Sequence, residues 1–355
     1  MGMADVGVVN RRAAAAATAL FVRLNEVTNR TFVLPLLIVC PTSRCNSRCV
    51  SCDWWRHSGD DDLSLDAFEA LSVELPALGT RVVAFSGGEP LLRPDLFDIA
   101  ALFRARGMSL QLLTSGVLLE RAADRVAEHF SRVYVSLDAP TPALYEAIRG
   151  VDALAIVERG VARLRRLAPD VPVMLRATLH RANFRELPRL IAHAKTMEVA
   201  GISFLPADVS SMAFGRDRVP NPTTLMLDEQ DVEEFRAVIE RTIGAHRRDF
   251  ESGFVAESPA KLRRMTQYYD ALAGTGAFPP VQCNARWVSV VVEANGQVRP
   301  CFFHDAVGSV RDAPLATILR TTLPAFRRTL NVEDNPICER CVCSMNATWR
   351  SGPWQ

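Results

Sequence analysis

A chain of 355 residues, 48% hydrophobic and 23% charged, is long enough for one large domain plus a smaller one and too apolar to be disordered. Its 41 basic and 40 acidic residues leave a net charge of +1, which argues against a nucleic-acid-coating protein or a strongly basic membrane binder. Only Lys195 and Lys261 among the basic residues are lysines, a bias that reads as base composition rather than DNA binding.

The first apolar run, Ala13–Val22, has ten residues, against about 20 needed to span a bilayer. Arg11 and Arg12 precede it, yet no convincing cleavage site follows and the helical pattern continues through Arg23 and Glu26. Residues 1–34 therefore read as a helical extension lying on the domain. From residue 36, short apolar runs alternate with amphipathic segments. Strands are predicted at Leu36–Cys40, Arg81–Phe85, Ser109–Leu113, Arg132–Leu137, Pro172–Thr178 and Gly201–Leu205. Helices are predicted at Leu65–Leu75, Pro94–Arg106, Glu120–Phe130, Ala155–Leu167 and Phe184–Met197. Six such repeats over residues 35–215 imply an α/β fold: a partial (β/α)6 barrel of TIM type, or an open curved parallel sheet. Either places the chemistry beyond the C-terminal ends of the strands. Residues 207–227, rich in Ser, Asp, Pro and Asn, are expected to form a loop over that end. A helical linker, 216–280, follows with a long helix at about Asp228–Arg247. Residues 281–355 are expected to form a small cysteine-rich β-hairpin/α domain. Its hairpin, Trp287–Val292 with Gln297–Pro300, turns at Asn295-Gly296, a pair that supplies positive φ angles.

The nine cysteines form two groups separated by 230 residues that contain none. That distribution suggests two metal sites in a reducing compartment rather than a disulfide framework, and a cytoplasmic protein is expected. Cys45, Cys49 and Cys52, spaced CxxxCxxC, closely follow the first strand. Three thiolates on one loop suit three irons of a 4Fe–4S cluster and leave the fourth iron open. A zinc knuckle short of a ligand, or a structural cluster completed by Cys40, are the alternatives; Cys40 itself reads as a small buried apolar residue. At the end of the second strand stands Phe85-Ser86-Gly87-Gly88-Glu89-Pro90.

The triad after strand one and the Gly-Gly-Glu-Pro turn after strand two together resemble the radical S-adenosylmethionine (SAM) superfamily. The resemblance implies that SAM chelates the open iron and is cleaved, on one-electron reduction, to methionine and a 5′-deoxyadenosyl radical. It assigns Gly87, Gly88 and Glu89 to the SAM amino group, a carboxylate being a suitable acceptor for an ammonium. Leu113-Thr114-Ser115-Gly116 is similar to the family's Thr-Asn-Gly after strand three. Ser136, ending strand four, is implied at the SAM carboxylate. Arg149 and Arg176 are candidates for that carboxylate or the ribose, and Leu205 for adenine. The residue before the third cysteine is usually aromatic in the family, whereas here it is Ser51; Trp54 or Trp55 is expected to supply that packing.

The second group reads Cys283, twelve residues, Gly296, four residues, Cys301, and then Cys338-Glu-Arg-Cys341 with Cys343 beyond. On spacing alone, four thiolates suit tetrahedral zinc or an iron–sulfur cluster equally. Behind a radical SAM core the pattern resembles the twitch domain, the shortened SPASM form, with one auxiliary 4Fe–4S cluster held by Cys283, Cys301, Cys338 and Cys341. Cys343 is the substitute for Cys341. His304 is expected to be exposed rather than bonded to a cluster sulfur.

The expected enzyme abstracts hydrogen from a small molecule such as a sugar or aminocyclitol, with the auxiliary cluster passing electrons. Peptide or protein modification is the alternative, held lower because only 44 residues precede Cys45, too few for the winged-helix leader-peptide domain. An external one-electron donor such as flavodoxin or ferredoxin is implied, with no nucleic-acid partner and no transmembrane segment. No spacing selects a catalytic acid or base; Tyr145, His180, Asp208, Arg216, Asp217, Arg218, Tyr268 and Tyr269 are the candidate substrate-facing residues.

Overall fold

The computed structural model describes residues 3–218 and 224–348. Part of the expected 207–227 loop and the terminal Ser351–Gln355 lie outside the described residues. Six parallel strands form in chain order: β1 (Leu36–Val39), β2 (Val82–Phe85), β3 (Ser109–Thr114), β4 (Arg132–Ser136), β5 (Val173–Leu179) and β6 (Gly201–Pro206). All residues of β1 and β2 are buried, as in a sheet covered on both faces, whereas β5 alternates buried and partly buried positions. Sequential neighbours pair throughout, so every crossover runs the same way and the sheet curves as a partial barrel.

Helix α1 (Met3–Thr28) precedes the sheet, and α2 (Leu65–Glu74), α3 (Leu96–Ala105), α4 (Leu119–His129), α5 (Pro142–Arg149), α6 (Leu154–Leu167) and α7 (Leu187–Thr196) make the crossovers. Ser64 caps α2 by accepting from Ala67 N. Phe68, Leu71, Phe103, Val126, Val157, Leu164 and Leu190 point their apolar stripes into the same core as the strands. Helix α5 escaped the sequence reading: it has only eight residues, between Thr141-Pro142 and a left-handed Gly150 with φ of 68°. Of α1, Val22 and Asn25 are buried, and Asn25 Nδ2 donates to Val33 O at 2.7 Å and to Trp287 O at 2.9 Å. Among the described residues no helix is long and apolar enough to cross a membrane.

After β6 come α8 (Glu229–Ala245), α9 (Arg247–Glu251) and α10 (Pro259–Ala273), capped at Asp228 and Ser258. The cysteine-bearing segment then differs from the expected hairpin. Residues Ala285–Val288 form a short helix, α11, so the strand β7 begins only at Ser289 and ends at Val292, and β8 is Gln297–Arg299. Nor is this hairpin a separate sheet. β7 pairs parallel with β1, Leu36 opposite Ser289 and Val39 opposite Val292, and β8 and β9 (Gly308–Ser309) continue antiparallel. One nine-stranded sheet, β6-β5-β4-β3-β2-β1-β7-β8-β9, thus carries both cysteine groups. Helices α12 (Leu315–Arg320), α13 (Thr322–Thr329) and α14 (Pro336–Glu339) complete the described chain.

Candidate active site and auxiliary metal centre

The C-terminal ends of the parallel strands open on a cavity of about 1420 Å³ of empty volume, counting its mouth. Its wall includes Cys45, Cys49, Cys52, Gly87, Gly88, Ser136, Arg149, Arg176 and Leu205, so nine of the residues singled out from the sequence share one space. Glu89 does not. It is fully buried behind the wall, accepting from Leu91 N at 3.1 Å, Thr114 Oγ1 at 2.8 Å and Ser115 N at 2.6 Å. Its carboxylate ties the Gly-Gly-Glu-Pro turn to the end of β3. What the turn presents to the cavity is the Gly87–Gly88 backbone. Both glycines are sterically required: a Cβ on Gly87 (φ 95°) would lie 2.6 Å from Cys40 Cβ, and one on Gly88 2.1 Å from Arg44 O.

The cysteine loop is fastened on both sides. Arg48 N donates to Arg149 O at 2.8 Å and Val50 N to Ile148 O at 3.0 Å, docking the loop on the end of α5. From the other side Asp53 N donates to Phe214 O at 3.0 Å, and Arg216 Nη2 to Ser51 O at 2.6 Å. Arg216 is buried and ion-paired with Asp208 at 2.5 Å. Arg216, held by Asp208, therefore clamps the loop, while Asp208 also lines the cavity. Tyr268 and Tyr269 are buried too, donating to Ala207 O and Leu179 O, and Tyr145 and His180 are likewise in the interior. Asp217 lines a separate acidic groove, and Arg218 is exposed. Trp54 reaches the cavity and the Trp55 indole N–H donates to Cys52 O at 3.0 Å, while Phe214, held at φ 65° and stacked with Phe302 at 6.5 Å, adds a further aromatic ring to the lining. Phe214, Phe302, Phe303 and Asp138 were missed as lining residues. Their signal was position alone: Phe302 and Phe303 directly follow Cys301, and Asp138 closes the β4 run.

The chemistry of these groups fits a cluster and an anionic ligand. Burial pushes the thiols up, Cys45 to about 11 and Cys52 to about 12, so the free site holds protons that metal ligation displaces. Arg149 is paired with Asp138 at 3.0 Å, and its Nε, though buried, has no protein partner. An unfilled guanidinium donor beside the triad suits a carboxylate. Arg176 donates to Ser203 Oγ at 3.1 Å and stands over the Tyr134 ring at 5.3 Å. Cys40 is buried on the cavity wall, its thiol also raised by burial.

A second cavity, about 400 Å³ of empty volume, is lined by Cys283, Cys301, Cys338 and Cys341 among apolar residues. Burial raises Cys338 to about 11. These four thiols line one space, an arrangement that suits an iron–sulfur cluster. Cys343 lines the first cavity instead, and Phe303 lines both. His304 is buried, against the exposed position expected, with Nε2 3.3 Å from Cys338 Sγ.

Comparison with known proteins agrees with this layout. Residues 39–194 match the radical SAM superfamily, and residues 283–342 match SPASM, an iron-sulfur cluster-binding domain. The chain is similar to a Fe-coproporphyrin III synthase of Methanosarcina barkeri, 28% identical over 63% of this chain and 54% of the relative. It is also similar to a PqqA peptide cyclase of Rhodopseudomonas palustris, 28% identical over 59% and 55% respectively. It thus spans about half the length of the curated relatives it matches. Streptococcus suis SuiB bound to S-adenosylmethionine shares the fold, with a TM-score of 0.63 at 12% identity over 92% of this chain and 76% of SuiB.

Proposed function

Because the chain is a radical SAM enzyme carrying an iron–sulfur SPASM domain, we propose that it modifies a peptide or protein at an unactivated C–H bond. The likeness to PqqA peptide cyclase over more than half of this chain carries the reading. The open cavity between the two halves supports it, since it offers room for a side chain on an extended backbone beside SAM. This reverses the preference for a sugar or aminocyclitol. A small-molecule reading survives in another form, favoured by the likeness to the Fe-coproporphyrin III synthase, whose substrate class would be a macrocycle.

A cluster and SAM bound here would supply hydrogen-atom abstraction from an unactivated C–H bond. The chain's own residues position and protect. Cys45, Cys49 and Cys52 would hold the cluster, the Gly87–Gly88 backbone would approach the SAM amino group, and Ser136 with the free Nε of Arg149 would hold its carboxylate. Arg176 would face the ribose and Leu205 the adenine. Phe214, Phe302, Phe303 and Val342 give part of the cavity wall an apolar surface, which would limit water beside the reacting atoms. Cys283, Cys301, Cys338 and Cys341 would hold an auxiliary 4Fe–4S cluster with no iron left for substrate, so one-electron transfer is the chemistry it supplies. The electron for SAM cleavage would come from a flavodoxin or ferredoxin. The experiment incubates the reduced, reconstituted enzyme and SAM with short peptides encoded beside its gene and, separately, with porphyrins and sugars. A peptide losing two hydrogens in step with 5′-deoxyadenosine release supports the reading; turnover confined to porphyrin or sugar overturns it.

A further inference from the structure

The four-cysteine cavity contains two polar side chains that the cysteine motif does not require. His304 is 6% exposed, its ring set edge-on to Phe326 with centroids 5.0 Å apart and its carbonyl accepting from Arg299 Nη1 at 3.0 Å. Ring and backbone are thus both held where Nε2 meets Cys338 Sγ at 3.3 Å. Arg286 lines the same cavity. Its guanidinium carbon lies 3.7 Å from the Trp287 ring centroid, Arg327 Nε donates to its carbonyl at 2.8 Å, and its own Nε has no protein partner. Arg286 thus shares this small cavity with Cys338 and Cys283.

The rest of the lining is apolar: Phe303, Phe326, Leu330, Val332 and Ile337. A four-thiolate cluster in such a cavity is already anionic, and one-electron reduction adds a further negative charge that apolar walls disfavour. A sulfur ligating iron carries no proton, so the His304 contact has one polarity: the imidazole N–H donates. We propose that His304, through its Nε2–H to the Cys338 sulfur, and Arg286, through its charge beside Cys338 and Cys283, raise the reduction potential of the auxiliary cluster and make this site an electron acceptor. Both are positioning residues, stabilising the reduced form more than the oxidised one. The inference rests on the reading above that the auxiliary cluster transfers electrons. In turnover the electron would come from the substrate radical, which also gives up a proton and leaves a product two hydrogens poorer.

The test uses the full chain with Cys45, Cys49 and Cys52 replaced by alanine, so that only the auxiliary cluster loads. Dithionite is the reductant, and a potentiometric titration is followed by electron paramagnetic resonance. His304→Phe keeps a ring without a donor, and should lower the equilibrium constant for reduction about tenfold, a 59 mV fall for a one-electron couple. His304→Gln retains an N–H and should recover most of the shift. Arg286→Gln should lower the constant by a similar factor and Arg286→Lys much less. Potentials unchanged in His304→Phe and Arg286→Gln, with iron and sulfide intact, would overturn the inference while leaving the proposed function standing. Equal shifts in His304→Phe and His304→Gln would also overturn it, as a volume effect, and so would loss of the cluster in His304→Gln. If the parent variant takes up zinc in place of iron and sulfide, the electron-transfer reading itself fails and the inference falls with it.

Discussion

Alanine at Gly88 places a methyl group where the backbone of the cysteine loop already stands. The added Cβ would lie 2.1 Å from Arg44 O, 2.7 Å from Arg44 C and 2.9 Å from Ser43 C. Real Cβ contacts essentially never fall below 3.0 Å, so Arg44 O must retreat by about 0.9 Å. The obstacle is backbone, not the end of a flexible side chain, and Arg44 directly precedes Cys45. The same carbonyl accepts from Glu89 N at 2.8 Å, a bond that the retreat breaks. Overpacking of this kind costs about 1–3 kcal/mol, and the lost hydrogen bond about 1 kcal/mol more. The larger effect falls on chemistry, because misplacement by about 1 Å typically lowers rate by about 100-fold. Iron and labile sulfide per chain, with 5′-deoxyadenosine formed under dithionite, read the outcome. Gly88→Ala should keep the auxiliary cluster, lose most of the first, and produce 5′-deoxyadenosine about 100-fold more slowly. Gly244→Ala is the control: it lies on α8 at ordinary φ with open space around its Cβ, so activity should be unchanged and stability up by about 0.5–1 kcal/mol. A Gly88→Ala enzyme with full iron and a rate within a few-fold of the parent would refute the steric argument.

Other variants probe the remaining features. The Cys45, Cys49 and Cys52 to alanine triple variant should retain about half the iron and form no 5′-deoxyadenosine, since each cluster has a similar iron count. Cys341→Ala should lose the auxiliary cluster and Cys343→Ala should keep it, because Cys343 lines the other cavity; iron and sulfide analysis in the triple background reads the difference. Arg327→Met removes bonds from a buried guanidinium to Arg286 O, Arg30 O and Thr31 Oγ1, and should lower stability by about 3 kcal/mol in urea unfolding. His180 is held below the ordinary imidazole value by burial, so the unfolded chain takes up the proton first. Stability should therefore fall as pH drops below about 6.5, toward the lowered folded value, and His180→Gln should flatten that decline in urea midpoints.

The six core strands were legible to within one or two residues because β1 and β2, buried on both faces, are short apolar runs bounded by polar turns, and β3, β4 and β5 alternate buried with more exposed positions. The Cys45, Cys49 and Cys52 spacing pointed to a metal site for a related reason: ligands within one loop must be close in sequence. Features set by distant partners were not visible. Nothing local to Glu89 shows that Thr114 and Ser115 will occupy its carboxylate. Asp208 and Arg216 carry no mark of being each other's partner. Phe214 reaches the triad through a left-handed backbone that its residue type disfavours, so propensity points away from it. The helical start at Ala285, and β7's place beside β1, follow from register with a strand about 250 residues earlier.

That ladder between β1 and β7 has a consequence for the order in which the protein matures. Synthesis delivers β1 and the cysteine loop long before Ser289–Val292 emerges, and meanwhile one side of β1 is an unpaired apolar edge. Cys40 N, at the root of the loop, waits for Val292 O, its partner at 2.9 Å in the finished chain. Pairing over so long a separation is slow to form. The first cluster site, although encoded near the start of the chain, is therefore among the last parts of the barrel to become rigid, and stable iron insertion there should follow closure of the C-terminal hairpin.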